Sequence, residues 1–134
     1  KSTIDPLVDK LRVSTGEQYT VYVIELRDEA RSDPEMIKRN PGARPDKPCL
    51  YVGYTAHTPQ ERFEKHMSGD NDSSLVRRLG AKLRPRLYEN IPVASSRKEG
   101  EDREEARAKS LRRRGFAVYE GELGPLKIRR RPVD

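Results

Sequence analysis

Cys49-Leu-Tyr-Val-Gly-Tyr-Thr-Ala-His-Thr-Pro-Gln-Glu-Arg-Phe-Glu-Lys-His-Met-Ser-Gly69 reads as a short strand, a tight turn and a capped helix. Leu50 and Val52 alternate with Tyr51 and Gly53, the period-2 pattern of a strand whose two faces differ. Gly53 falls where a side chain would stop another group approaching the backbone. Thr58-Pro59-Gln60-Glu61 opens a helix with a capping box and a proline at the first helical position. On that helix Phe63 and Met67, four apart, are expected to share an apolar face. Arg62 and His66, also four apart, share the neighbouring stripe. An arginine and a histidine one turn apart, beside a tyrosine-bearing strand end, can hold a phosphodiester. A surface or capping histidine is the plainer reading of the same residues.

Working outward, 134 residues make one domain with possible trimmings. Hydrophobic residues are 33% of the chain and charged ones 37%, so the expected core is modest and the surface heavily solvated. Net charge is +6, with arginine clustered at Arg77-Arg78, Arg112-Arg113-Arg114 and Arg129-Arg130-Arg131. Clustered arginine is the electrostatic footprint of a polyanion binder, and DNA, duplex or branched, is the expected partner. An unspecialised basic surface is the alternative. Cys49 is the only cysteine, which excludes an internal disulfide and a cysteine-based metal site. No apolar run approaches a membrane span, and no signal-peptide pattern is visible. A soluble, reducing, cytoplasmic setting is expected. Lys1 rather than Met at the start is what a fragment of a longer chain would show.

Before the central stretch, Ile4, Leu7, Val8 and Leu11 predict a two-turn helix from about Pro6 to Arg12, within an N-terminal arm of residues 1–18. Tyr19-Thr-Val-Tyr-Val-Ile-Glu-Leu26 is the strongest strand, with Val21 and Val23 on one face and Tyr22 and Ile24 on the other. Residues 27–48 form a long polar insert with four prolines, in which Asp33-Pro34-Glu35 starts a helical turn and Asn40-Pro41-Gly42 ends it. The strand over 49–54 is expected to pair antiparallel with 19–26, since sequential strands usually neighbour.

After the central stretch, Ser73 to Leu79 predicts a short helix stopped by Gly80. Leu87-Tyr-Glu-Asn-Ile-Pro92 predicts a third strand. Ser96-Arg-Lys-Glu99 is a second capping box, opening the longest helix, which ends at Gly115. Phe116 to Tyr119 reads as a last short strand, and residues 122–134 as a basic tail. The long helix carries a narrow apolar seam, with Glu104, Ala108 and Leu111 at i, i+4 and i+7. An acid on a buried seam needs a partner or a cation; a structural pairing with arginine satisfies the same need.

Taken together, Tyr22 in the first strand, Tyr51-Val52-Gly53 in the second, Arg62 and His66 on the next helix and Glu104 on a later one resemble the GIY-YIG nuclease family. The likeness spans about Tyr19 to Gly121. The first motif matches as Thr20-Val21-Tyr22, with only the tyrosine kept. A longer spacer separates the tyrosine motifs than is usual in the family, and Tyr54 stands where excinuclease relatives carry a lysine. The resemblance implies a small α/β (α+β) domain, with a central three-stranded antiparallel sheet flanked by helices.

It also implies metal-dependent hydrolysis of one DNA strand at a time. Glu104 would ligate a hydrated Mg²⁺ or Mn²⁺, an ion that keeps most of its waters. Arg62 would fork two donors onto phosphate oxygens. Tyr22 would activate the attacking water, with a reference pKa of about 10 that nearby positive charge must offset. Tyr51 would assist or exchange roles with it, and His66 would orient Tyr22 or donate to a phosphate oxygen. Arg77, Arg78, Arg112, Arg113, Arg129 and Arg130 would hold the duplex away from the cut without reading sequence. A partner protein or further DNA-binding domain would supply any specificity. A non-catalytic nucleic-acid-binding module on the same fold is the competing expectation, and a basic domain meeting acidic proteins a more remote one.

Overall fold

The computed structural model describes residues 18–68 and 74–121. The expected helix near Pro6 and the basic tail, with Arg129 and Arg130, lie outside them. Strand β1 (Thr20–Leu26) pairs antiparallel with β2 (Cys49–Thr55), in a register running from Thr20 opposite Thr55 to Leu26 opposite Cys49. Both are covered on both faces: Val21 to Ile24 and Cys49 to Gly53 are all buried. That burial explains their nearly unbroken apolar and aromatic composition.

The described sheet has four strands, in the order β3-β1-β2-β4, and is mixed. The expectation of three antiparallel strands is therefore corrected, while the α+β class stands. Strand β4 (Ala117–Glu120) runs parallel to β2, with Cys49 beside Ala117 and Val52 beside Glu120. A parallel neighbour needs a long crossover, which the helical connection between the two strands supplies.

Strand β3 is Gly80–Leu83, antiparallel to β1, and not Leu87–Pro92. Pro85 instead opens a single 3₁₀ turn over Pro85–Leu87, and the Tyr88 and Glu89 amides both donate to its carbonyl. Leu87 and Tyr88 are buried side by side in that turn, where a strand would have sent them to opposite faces.

Four α-helices complete the described residues: α1 (Pro34–Arg39), α2 (Pro59–Ser68), α3 (Ser74–Leu79) and α4 (Arg97–Arg113). Helix α2 begins with a reciprocal capping box, in which the Glu61 amide donates to Thr58 Oγ1 and the Thr58 amide to Glu61 Oε1, each at 3.0 Å. In α4 the Glu99 amide donates to Ser96 Oγ, while the Glu99 carboxylate accepts from the Ser95 amide. Gly100, Glu104, Ala108 and Leu111 form the buried face of α4. On α2 the expected Phe63–Met67 face is corrected. His66 is the buried residue, Phe63 is only partly covered and Met67 is exposed. A buried phenol offers His66 a hydrogen bond, and hydrophobic periodicity cannot register such a partner.

The insert over residues 27–48 packs against β4. Asp33 caps α1, and Asn40 at its other end is buried. The Asn40 side chain donates to the Val118 carbonyl and accepts from the Val118 amide, both at 2.9 Å. One amide group thus does for Val118 what a fifth strand would do, and the edge of the sheet is closed there. Arg112 joins this cluster, donating to Asn40 Oδ1 and to the Val118 carbonyl. It also pairs with Glu120.

Candidate functional site

Strand β1 begins where β2 and β4 end, so three chain segments meet at one end of the sheet. The two-way bridge between Tyr19 and Ala94 sets the start of α4 beside them. A cleft of about 530 Å³ opens there. Of the residues singled out in the sequence, Tyr22, Tyr51, Gly53, Arg62 and Glu104 line it.

Tyr22 and Gly53 are cross-strand partners, and the Tyr22 ring lies over the glycine. A Cβ on Gly53 would sit 2.7 Å from Tyr22 Oη, 2.8 Å from its Cζ and 3.1 Å from Tyr51 Cε2. Only a residue without a side chain admits both rings. From α2, His66 reaches the same phenol, with Nε2 3.0 Å from Tyr22 Oη. The rings of Tyr22, Tyr51 and His66 form a triangle with centroids 5.8 to 6.2 Å apart. Tyr51 is anchored differently, its hydroxyl donating to the Gly121 carbonyl at 2.7 Å.

Burial pushes the Tyr22 phenol far above its ordinary pKa, and the nearby Glu104 charge acts in the same direction. The Arg62 charge opposes that shift, as do hydrogen bonds from Arg62 and Tyr51, but they do not overcome it. His66 is held neutral: burial first, then the Arg62 charge, lower its pKa to about 4. Its Nδ1 is buried with no protein hydrogen-bond partner.

Glu104 is buried on α4 and stands where two hollows meet. The second hollow, about 500 Å³, shares Glu101, Glu104 and Gly121 with the first and is walled by Arg39, Arg112 and Glu120. Gly121, at φ 87°, leaves room for the carboxylate: a Cβ there would lie 3.2 Å from Glu104 Oε2. Among the described residues no group of three or more His, Cys, Asp or Glu side chains could hold a metal ion. A buried carboxylate at the edge of a roomy polar cleft suits the small hard cation that keeps most of its water.

The expected DNA-contacting arginines divide. Arg77 and Arg78 of α3 and Arg113 of α4 are exposed. Arg112 is not an open surface charge, because its guanidinium is engaged by Asn40, Val118 and Glu120. Further cleft residues, among them Tyr54, His57, Lys65 and Arg97, were given no role from the sequence. Lys65 lies three after Arg62 on the same helix, a spacing that was available in the sequence. Arg97 opens a helix 43 residues from Tyr54, and no local pattern brings the two together.

Compared with protein-family models, curated proteins and solved structures, the chain matches none. The site must be read from its own chemistry.

Proposed function

We propose that the chain is a metal-dependent DNA endonuclease of the GIY-YIG type, hydrolysing a phosphodiester in the cleft at the end of the sheet. One observation carries this reading. Tyr22, Tyr51, Arg62 and Glu104, contributed by four separate elements, converge on a single cleft, with Tyr22 braced by His66 and seated over Gly53.

Arg62 supplies a planar pair of donors for the non-bridging phosphate oxygens. Tyr22 is the candidate proton acceptor for the attacking water, because its hydroxyl lies 3.0 Å from His66 Nε2 and so has a second proton partner. Ionising a buried phenol requires a change in the surrounding charge. Bound at Glu104, Mg²⁺ or Mn²⁺ would neutralise charge on the scissile phosphate and its leaving oxygen, and offset the carboxylate charge that keeps Tyr22 protonated. His66, neutral at pH 7, fixes the ring direction of Tyr22. DNA is held by exposed arginines such as Arg77, Arg78 and Arg113.

The test is nicking of supercoiled plasmid with Mg²⁺ or Mn²⁺ against EDTA, for the unmodified chain, Glu104→Gln and Arg62→Ala. Metal-dependent nicking lost in both variants supports the reading; equal nicking by all three removes Glu104 and Arg62 from the chemistry. The near-complete burial of Tyr22, which is 1% exposed, favours a second reading: a DNA-binding module in which the tyrosines are core residues. Metal-independent binding with no cutting of linear, nicked, branched or single-stranded DNA would select it. Among the described residues no helix is long and apolar enough to cross a membrane. The lone, buried Cys49 fits a reducing cytoplasmic compartment.

A further inference from the structure

Tyr54 lines the cleft yet has no part in the hydrolytic chemistry above. Strand alternation sends it to the opposite face from Tyr51 and Gly53, toward α4. There its ring is fixed by several neighbours. The ring packs on Gly100, where a Cβ would come within 3.1 Å of Tyr54 Cδ1. The Tyr19 ring meets it edge to face at 5.8 Å, with the planes 77° apart. The Tyr54 hydroxyl donates to Glu101 Oε2 at 3.3 Å and accepts from Arg97 at 3.4 Å. Arg97 in turn lies 5.7 Å from the Tyr19 ring centroid. A half-buried aromatic ring is thus held in one orientation beside a guanidinium, in the same cleft as Arg62 and Glu104.

We propose that Tyr54 and Arg97 form a nucleobase-stacking subsite, which selects DNA carrying an unpaired nucleotide next to the phosphate held by Arg62. The inference rests on the proposed reading of the cleft as a phosphodiester site. A rigid ring has a flat apolar face for a base, and ordering it in advance removes most of the entropy cost of stacking. In continuous duplex both faces of every base are already stacked on neighbours. Only an unpaired, terminal or extruded base can lie on Tyr54. Stacking on one aromatic ring contributes about 1–3 kcal/mol per base and tolerates any base, so the selection is for structure and not for sequence. Arg97 adds cation–π attraction to the same base and charge attraction to the adjoining phosphate.

The experiment measures binding in EDTA, so that no cutting intervenes. Fluorescence anisotropy compares a duplex bearing a single-stranded flap with a continuous duplex of equal length. The flap carries 2-aminopurine at its first unpaired position. The unmodified chain is expected to prefer the flap and to quench the 2-aminopurine. Tyr54→Ala should lower the flap-over-duplex ratio by about 5- to 100-fold and abolish the quench. Tyr54→Phe, which keeps the ring and loses the hydroxyl, should retain both and guards against a folding defect in the alanine variant. Equal affinities of the unmodified chain for the two substrates, an unquenched reporter, or a Tyr54→Phe variant as impaired as Tyr54→Ala would each overturn the subsite. Cutting of the same flap substrate by the unmodified chain with Mg²⁺ or Mn²⁺ reports separately. Flap preference without metal-dependent cutting of the flap overturns the nuclease and keeps the subsite; cutting without flap preference does the reverse.

Discussion

Gly53 and Tyr22 share one volume, and each dictates the other. Adding a methyl group to Gly53 places it 2.7 Å from Tyr22 Oη, so the ring must swing and its bond to His66 must break. Gly53→Ala is expected to cost about 1–3 kcal/mol in urea unfolding, and to lose metal-dependent nicking more completely than the stability loss alone would explain. His66 makes a second residue-scale prediction. Its pKa is about 4 in the fold against an ordinary 6.5, so the unfolded chain takes up a proton first as pH falls. The contribution of neutral His66 is fully present above about pH 6.5, declines as pH falls and is gone below about pH 4. Its full size is on the order of 3 kcal/mol. Urea midpoints between pH 7 and pH 4 should fall for the unmodified chain and fall less for His66→Gln. Parallel pH profiles would mean that other groups govern acid stability.

Among elements, the insert of residues 27–48 and strand β4 depend on one another. Asn40 supplies both a donor and an acceptor to Val118, and Arg112 reinforces the same carbonyl. Arg39, from the same helix as Met36, lies 4.3 Å from the Tyr119 ring centroid. Asn40→Ala strands the buried Val118 amide, at an expected cost of about 1–3 kcal/mol. Amide hydrogen exchange at Val118 should quicken while exchange at Val23, in the centre of the sheet, changes little. Because β4 leads directly into Gly121, which accepts from Tyr51 and adjoins Glu104, loosening this edge is also expected to lower nicking.

At the scale of the whole molecule, a net charge of +6 is distributed between structural and open arginines. Arg112 belongs to the first kind, and Arg77 and Arg78 to the second. Arg77→Ala or Arg78→Ala should leave the urea midpoint unchanged and reduce the slope of log affinity against log salt by about one each. Arg112→Ala should do the opposite, lowering stability with little change in slope. Unchanged slopes for both α3 variants would remove that helix from the DNA-facing surface.

What the sequence determined by itself was local. Alternation set β1 and β2, and capping boxes placed the starts of α2 and α4, because these signals act within a few residues. The seam of Glu104, Ala108 and Leu111 was legible for the same reason. The parallel placement of β4, the displacement of the third strand to Gly80–Leu83 and the burial of His66 in place of Met67 were decided by tertiary structure. Each depends on partners far apart in the chain: β2 for β4, β1 for β3, Tyr22 for His66 and Asn40 for Val118. The cleft followed the same division. Its tyrosines, arginine and glutamate could be picked out one at a time, but the wall of Tyr54, Tyr19 and Arg97 exists only once α4 is folded against the start of β1. A local pattern reports which face of an element is apolar, whereas only the closed sheet determines what meets it.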